Sequence, residues 1–172
     1  MNPIAAGVVA LVALVRLVEL WYARRNTRAL LDAGGVEVGG SHYPLIVALH
    51  AAWLVAILLT VPPGAAVSVP LLILFGFLQG LRAWVLLSLG RYWTTRVITL
   101  PGAPLVRRGP YRFLRHPNYL VVAAEIAVLP LAFGAWGVAI AFSALNGALL
   151  VWRISVEDRA LAPRREASQI IA

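Results

Sequence analysis

Residues 44–61 read PLIVALHAAWLVAILLTV, a run without a charged side chain. A run of this kind approaches the roughly 20 residues that a helix needs to cross the hydrocarbon core of a bilayer. The rest of the chain has the same character, because 61% of its 172 residues are hydrophobic, only 13% are charged, and the mean hydropathy is +0.84. Ordinary soluble domains are about 45–50% apolar and about a quarter charged. The sequence therefore predicts an integral membrane protein.

Further apolar segments flank this run on both sides. The five predicted spans are residues 3–22, 44–61, 67–89, 117–131 and 135–152. Because these spans and their connections take up almost the whole chain, we expect one all-α membrane domain over residues 1–172 with about five transmembrane helices. The first segment has no basic region ahead of it and is longer than the core of a signal peptide, so we expect it to remain as the first span.

The charged residues predict the orientation of these spans. The chain has 15 arginines, no lysine and 7 acidic residues, which gives a net charge of +8. All the arginines except Arg16 and Arg82 follow the first, third or fifth span, whereas the connections around Pro62 and Gly134 are uncharged. The positive-inside rule then places the N-terminus outside and the C-terminus in the cytoplasm. Because membrane topology explains the arginines, we expect no nucleic-acid partner.

Two classes of chemistry are excluded or disfavoured by residue type. The chain has no cysteine, which excludes disulfides, thiol catalysis and cysteine-ligated metals. Its histidines, His42, His50 and His116, do not have the spacing of metal ligands. We therefore expect no metal site.

The longest connection, residues 90–116, differs in composition from the others. Residues 93–100 are typical of a strand, and Pro101-Gly102 is a turn signal. We expect a short hairpin or an extended strap here, on the cytoplasmic face. His116-Pro117 then marks the start of the fourth span, because proline is favoured at the first helical position.

Ionisable side chains inside the predicted spans need partners. Each costs at least about 2.5–3.5 kcal/mol in the hydrocarbon, so it is paired or functional. Arg16 lies three residues before Glu19, which predicts a structural or interfacial pair on one helix face. Glu125 needs a partner from another span, and Arg82 or Gln79 is the candidate. That contact is either structural or part of a functional site.

Polar residues on the fifth span and beyond form one stripe. Asn146, Arg153 and Glu157 project within about 40° of one another on a helix. The short turn between spans four and five makes an antiparallel hairpin, which brings the start of span four toward the end of span five. A charged pocket is the prediction. The alternatives are that Arg153 and Glu157 form an ordinary i,i+4 anchor pair, and that Tyr111 and Tyr119 belong to the interfacial aromatic belt.

Several motifs of the chain resemble the signature of a known protein family. Residues 109–119 read GPYRFLRHPNY, and Arg153 with the doublet Glu157-Asp158 follows after two spans. This pattern resembles the signature of the isoprenylcysteine carboxyl methyltransferase family, G-x-Y-x-x-x-R-H-P-x-Y, then a two-span hairpin, then R-x-x-x-E-E. The resemblance covers about residues 75–161 and is similar to the bacterial branch. The chain differs at Val121, where a small residue is common, and at Asp158.

The resemblance implies a cofactor and a site. Family members transfer a methyl group from S-adenosylmethionine to a lipophilic acceptor, here at the cytoplasmic face of a bacterial cytoplasmic membrane, and the cofactor-binding part would be about residues 90–161. The implied cofactor-binding residues are Tyr111, Arg115, His116, Pro117, Tyr119, Leu120, Glu157 and Asp158. The short tail after Ala162 predicts a more open cofactor site.

The catalytic residues implied for the acceptor side are Arg153, Glu125 and Asn146. Arg153 would clamp an anionic oxygen, because a guanidinium binds oxyanions well, and the other two would orient the acceptor. A small lipid, such as a long-chain phenol or a pyrone hydroxyl, is favoured over a lipidated protein carboxylate, although the sequence itself does not choose.

The competing interpretation is a non-catalytic membrane protein or a transporter that uses Arg82 and Glu125 as buried charges. An odd number of short spans without paired broken helices is evidence against a secondary transporter.

Overall fold

The computed structural model describes residues 2–170, without the side chains of residues 42, 163 and 165–170. Five α-helices make up most of it: α1 Pro3–Asp32, α2 Tyr43–Thr60, α3 Val69–Leu89, α4 Pro117–Ala132 and α5 Trp136–Ile170. Two short strands complete it: β1 Val36–Val38 and β2 Val97–Thr99.

Four of these helices, α1, α2, α3 and α5, are long and apolar enough to cross a membrane. The fourth predicted span corresponds to α4, a shorter apolar helix of 16 residues. Predicted spans 44–61, 67–89 and 117–131 agree with the observed helices to within two residues at each end. The predicted helical architecture is confirmed and is compatible with a membrane protein, and its orientation stays a prediction.

The helices that contain the first and last predicted spans extend beyond the predicted span ends at residues 22 and 152. α1 continues to Asp32 and α5 to Ile170. Hydropathy marks where the apolar stretch stops, but a helix continues wherever it can still bury one face. On α1 that face carries Ala23, Asn26 and Leu30, which are spaced three and four residues apart and are all buried.

Helix α4 is the central helix of the bundle. It packs between α3 and α5, and its buried residues include the polar Glu125 as well as apolar side chains. Ile126 and Leu129 are fully buried, and Trp53 of α2 donates its indole N–H to the Ile126 carbonyl at 3.2 Å. The outer faces of the other helices carry exposed leucine, isoleucine and valine, as expected for surfaces that lipid covers.

Of the two forms predicted for residues 90–116, a short hairpin or an extended strap, the structure has the strap. The turn at Pro101-Gly102 forms, with Ala103 N–H donating to the Leu100 carbonyl, but the returning segment is not a strand. Strand β2 instead pairs antiparallel with β1, from the connection between α1 and α2. Pro104 lacks an N–H donor, so the returning segment is poorly suited to complete a ladder. Residues 100–108 therefore run as an extended strap.

A cluster of five polar side chains joins α1, α3 and α4 inside the bundle. Arg82 donates through Nε and Nη2 to the two oxygens of Glu19, both at 2.7 Å. Arg16 donates to Glu19 at 2.7 and 2.8 Å and to Glu125 at 3.0 Å. Gln79 and Arg82 donate to Glu125 at 2.7 and 3.2 Å. We call these five residues the buried ion cluster, and they confirm both partners that the sequence suggested for Glu125.

Candidate active site

A cavity of about 380 Å³ lies where α1 and α3 end and α4 begins. This volume falls in the range of about 300–1,000 Å³ that is usual for ligand sites. One wall is mainly apolar and includes Leu30, Leu89, Ile98, Leu100, Leu105 and Val106. A second group of lining residues is polar, and we call it the polar wall: Tyr111, His116, Asn118, Tyr119, Arg153 and Glu157.

A glycine shapes the turn that leads into the polar wall. Gly109, the first residue of the motif, has a φ of +56°, a backbone conformation that favours glycine. A Cβ at this position would also collide with the Ser88 hydroxyl of α3. Arg108 donates to the Ser88 carbonyl at 2.7 Å, so the turn is fixed on the end of α3. Tyr111 is thereby held against the cavity.

Tyr119 joins the two charged residues that α5 contributes. Arg153 Nε donates to the Tyr119 hydroxyl at 2.8 Å, and that hydroxyl donates to Glu157 Oε2. The predicted i,i+4 pair of Arg153 and Glu157 is therefore bridged by a tyrosine from α4. This contact is possible because α5 continues through residue 157 as one helix and lies antiparallel to α4.

His116 lies between the two acidic residues of the doublet. Its Nε2 is 3.2 Å from Asp158 Oδ1, its Nδ1 is 3.6 Å from Glu157 Oε1, and its ring stacks on Tyr119 with centroids 5.4 Å apart. The Glu157 carboxylate raises the pKa of His116 above its usual value, burial opposes this, and the Asp158 charge adds to it. The arrangement therefore favours the protonated imidazolium.

Six predicted site residues line the cavity: Tyr111, Arg115, His116, Tyr119, Arg153 and Glu157. Of the remaining cofactor-side predictions, Asp158 contacts His116, and Pro117 is buried as the first residue of α4. Leu120 is 60% exposed and does not line the cavity.

The two other predicted catalytic residues lie away from the cavity. Glu125 belongs to the buried ion cluster, and Asn146 is buried on α5 two turns before Arg153. A predicted contact of Glu125 or Asn146 with the acceptor therefore finds no support in the geometry. Asn146 shares a helix face with Arg153. It lies deeper in the bundle, however, because the seven residues that separate the two span about 10 Å of helix.

Among the described residues, four buried polar atoms of side chains have no hydrogen-bond partner. Three of them belong to side chains that line the cavity. They are Trp93 Nε1, His116 Nδ1 and Asn118 Oδ1, and Ser143 Oγ on α5 is the one elsewhere. Buried polar atoms in proteins are nearly always paired, with protein, water or ligand. Their concentration here indicates a site that a polar ligand completes.

Sequence reasoning missed several lining residues. Asn118 lies inside the motif at residues 109–119, which is a signal that points to it, whereas Trp93 lies outside that motif. Leu30 and Arg164 carry no such signal, because only the extended α1 and α5 bring them to the cavity. Arg164 donates to the carbonyls of Ala103 and Pro104 at 2.9 and 3.0 Å. These hydrogen bonds connect α5 to the strap, and the more open cofactor site stays a prediction.

Comparison of the sequence with known proteins identifies the family to which the chain belongs. A sequence model of the isoprenylcysteine carboxyl methyltransferase (ICMT) family matches residues 71–163. The chain is also 36% identical to the uncharacterized protein YpbQ of Bacillus subtilis (strain 168) over 159 residues, which are 89% of this chain and 94% of that protein. The chain belongs to the isoprenylcysteine carboxyl methyltransferase family. No solved structure gives a significant match.

Membership in the isoprenylcysteine carboxyl methyltransferase family implies a membrane methyltransferase. The matched residues include all of α4, nearly all of α3 and α5 up to residue 163, so Arg164 of the cavity lining lies just outside the match. They therefore contain every residue of the polar wall. Leu30 and β1 lie outside the match, so the N-terminal part of the chain adds to the cavity a surface that the family model does not describe.

Proposed function

We propose that the protein transfers a methyl group from S-adenosylmethionine to a carboxylate or hydroxyl of a lipophilic acceptor at the cytoplasmic face of the membrane. The observation that supports it best is the convergence of His116, Tyr119, Arg153 and Glu157 on one cavity at the end of membrane helices. The placement at the cytoplasmic face is supported by the many arginines at this end of the bundle.

The residues of the polar wall fit S-adenosylmethionine by their chemistry. Glu157 and the unpaired Asn118 Oδ1 are acceptors for the ammonium, amino or ribose hydroxyl groups of such a ligand. Protonated His116 is a donor suited to its carboxylate, and the positive end of the α4 dipole favours a negative charge there. Bound S-adenosylmethionine would supply a methyl group on a positively charged sulfur, which an acceptor oxygen takes directly.

Arg153 is the residue that we assign to the acceptor. Its Nε donates to Tyr119, and among the described residues its terminal nitrogens make no hydrogen bond, so they are available to an anionic oxygen. The apolar wall beside it suits an alkyl or isoprenyl chain. Because the methyl transfer is direct, these residues act by positioning the two ligands and excluding water, and no covalent residue is needed.

Calorimetric titration of the detergent-purified protein with S-adenosylhomocysteine tests the cofactor. We expect saturable binding to the wild type and at least about tenfold weaker binding to Glu157→Gln, because hydrogen bonds to charged groups are the strong ones. The control is Ser155→Ala, since the Ser155 hydroxyl bonds only the carbonyl of Trp152 on its own helix among the described residues. Folded wild type without binding would contradict the proposal, and equal binding by Glu157→Gln would contradict the site.

A second variant separates the acceptor from the cofactor. Arg153→Ala should keep measurable binding of S-adenosylhomocysteine and lose methyl transfer to lipid-extractable material. The transport alternative has no specific support here, because the two arginines and two glutamates of the buried ion cluster neutralise one another.

A further inference from the structure

Trp93 is a buried side chain of the cavity wall that family motifs do not explain. It follows the 3₁₀ turn Gly90–Tyr92 at the end of α3 and is only 4% exposed. Its indole Nε1 is enclosed and has no hydrogen-bond partner among the described residues. An indole N–H can only donate, so what it lacks is an acceptor atom.

The backbone and the ring of Trp93 are both held in place. Asn26 of α1 donates through Nδ2 to the carbonyls of Trp93 and Gly90, at 2.9 and 3.1 Å. Asn26 is itself buried, and its amide makes both contacts on the turn. On the other side, Ala23 and Val85 pack against the indole, and Arg82 Cζ lies 6.0 Å from the ring centroid.

A fixed donor without a partner is an unusual feature of a folded protein. A mobile side chain would turn to find water or a carbonyl, but this one is packed by α1 and α3 and braced by Asn26. Unpaired buried groups of this kind are characteristic of functional sites, because the missing partner arrives with the ligand.

We propose that the Trp93 indole N–H is a ligand contact that donates to a negatively charged oxygen of a molecule bound in the cavity, with Asn26 as its positioning residue. This rests on the proposed function, which offers two sources of such an oxygen: the carboxylate of the cofactor and the reacting oxygen of the acceptor. An anionic oxygen fits because Arg96, Arg107, Arg115 and Arg153 line the same cavity and Glu157 is the acidic residue among the described lining residues.

Nuclear magnetic resonance of the ¹⁵N-labelled indole groups tests the contact directly. The full-length protein is labelled at tryptophan, and Trp93→Phe assigns the resonance. A new hydrogen bond moves an indole proton downfield, so we expect this resonance to move downfield on ligand binding. The control is the resonance of Trp136, which is exposed and does not line the cavity, and it should stay in place.

Three probes separate the sources of the oxygen. A shift with S-adenosylhomocysteine but not with 5′-methylthioadenosine, which lacks the amino-acid carboxylate, assigns the contact to the cofactor. A shift that comes with 4-dodecylphenol added to the S-adenosylhomocysteine complex assigns it to the acceptor. In the first case Trp93→Phe should also bind S-adenosylhomocysteine about tenfold more weakly while its affinity for 5′-methylthioadenosine is unchanged.

The proposal is overturned if calorimetry shows that S-adenosylhomocysteine binds but neither this ligand nor 4-dodecylphenol moves the Trp93 resonance. That result leaves the proposed function intact, whereas a folded wild type that binds no S-adenosylhomocysteine overturns both. If Trp93→Phe does not fold, the resonance is assigned by exclusion from Trp→Phe variants of the other five tryptophans, and the wild-type titration still decides.

Asn26→Ala tests the positioning role. It should broaden or split the Trp93 resonance in the free protein and reduce its ligand-induced shift. An Asn26→Ala protein whose Trp93 resonance responds as in wild type would remove Asn26 from the proposal.

Discussion

Tyr119 is the residue on which the polar wall depends most. Its hydroxyl connects Arg153 to Glu157, and its ring stacks on His116. Tyr119→Phe keeps the ring and removes the hydroxyl, so Arg153 Nε loses its acceptor and Glu157 Oε2 loses a donor. We expect a loss of about 1–3 kcal/mol in the free energy of unfolding and weaker S-adenosylhomocysteine binding.

Chemical unfolding in detergent and calorimetry measure the two effects of Tyr119→Phe. Tyr22→Phe is the matched control, because the Tyr22 hydroxyl does not line the cavity and makes no hydrogen bond among the described residues. If both variants behave alike, the hydroxyl of Tyr119 has no special role.

The raised pKa of His116 predicts that the folded protein is stabilised more at low pH than at high pH. The Glu157 carboxylate raises the pKa of His116 above its ordinary value of 6.5, so the folded state holds the proton more tightly than the unfolded state. The stabilisation is therefore complete below about pH 6.5 and is lost as the pH rises through the folded-state pKa.

Apparent melting temperatures of wild type and His116→Gln, measured from pH 5.5 to 9, test this dependence. The wild type should be more stable at low pH, and the difference should shrink as the pH rises. A difference that stays constant or grows with pH would contradict the protonated contact.

Among the elements, the interior of the bundle depends on the contacts of α1 with α3 and α4. Glu19→Gln leaves the arginines of the buried ion cluster incompletely neutralised, and breaking a buried pair costs about 3–5 kcal/mol. Glu37→Gln is the matched control, because its pair with Arg96 is partly exposed and should contribute about 0–1 kcal/mol. Chemical unfolding should separate the two variants, and similar losses would contradict a structural role of the cluster.

The strap, residues 100–108, is held to α5 by Arg164. Arg164→Ala should release it and speed tryptic cleavage after Arg107 and Arg108. Arg159→Ala is the control, since Arg159 donates to Ser155 on its own helix. Mass spectrometry of the fragments measures the rates, and a rate for Arg164→Ala equal to wild type would show that the strap is held by other contacts.

The sequence predicts a helix or strand correctly only where a single property, the length of the apolar run, determines it. Long apolar runs place α2, α3 and α4, because lipid requires an apolar surface whatever the tertiary contacts. The extensions of α1 and α5 and the pairing of β1 with β2 depend on which surfaces meet. Apolarity does not show which surfaces meet, so the sequence predicted neither the helical extensions beyond the apolar spans nor the pairing of β1 with β2.

The same distinction applies to the candidate site. His116, Tyr119 and Glu157 could be found because their spacing matches a family signature. Glu125 looked like a site residue because a buried carboxylate needs an explanation, and the explanation is two arginines and a glutamine from other helices. Trp93 looked like part of a strand, and only its enclosed N–H marks it as a ligand contact.

For the whole molecule, the cavity lies at one end of the helical bundle, and the proposed function requires this end to face the cytoplasm. The arginines carry this assignment, because all but Arg16 and Arg82 follow spans that end on the same side. Because a charged molecule does not cross a bilayer, we expect S-adenosylmethionine to reach the cavity from that side.

The most direct measurement uses S-adenosylmethionine carrying a tritiated methyl group, added to sealed membrane vesicles of both orientations from a bacterium that expresses the protein. The account predicts tritium in the organic extract of inside-out vesicles with wild-type protein, and background levels with Arg153→Ala or with right-side-out vesicles. Equal label in the extracts of wild-type and Arg153→Ala inside-out vesicles, or label confined to right-side-out vesicles, would contradict it.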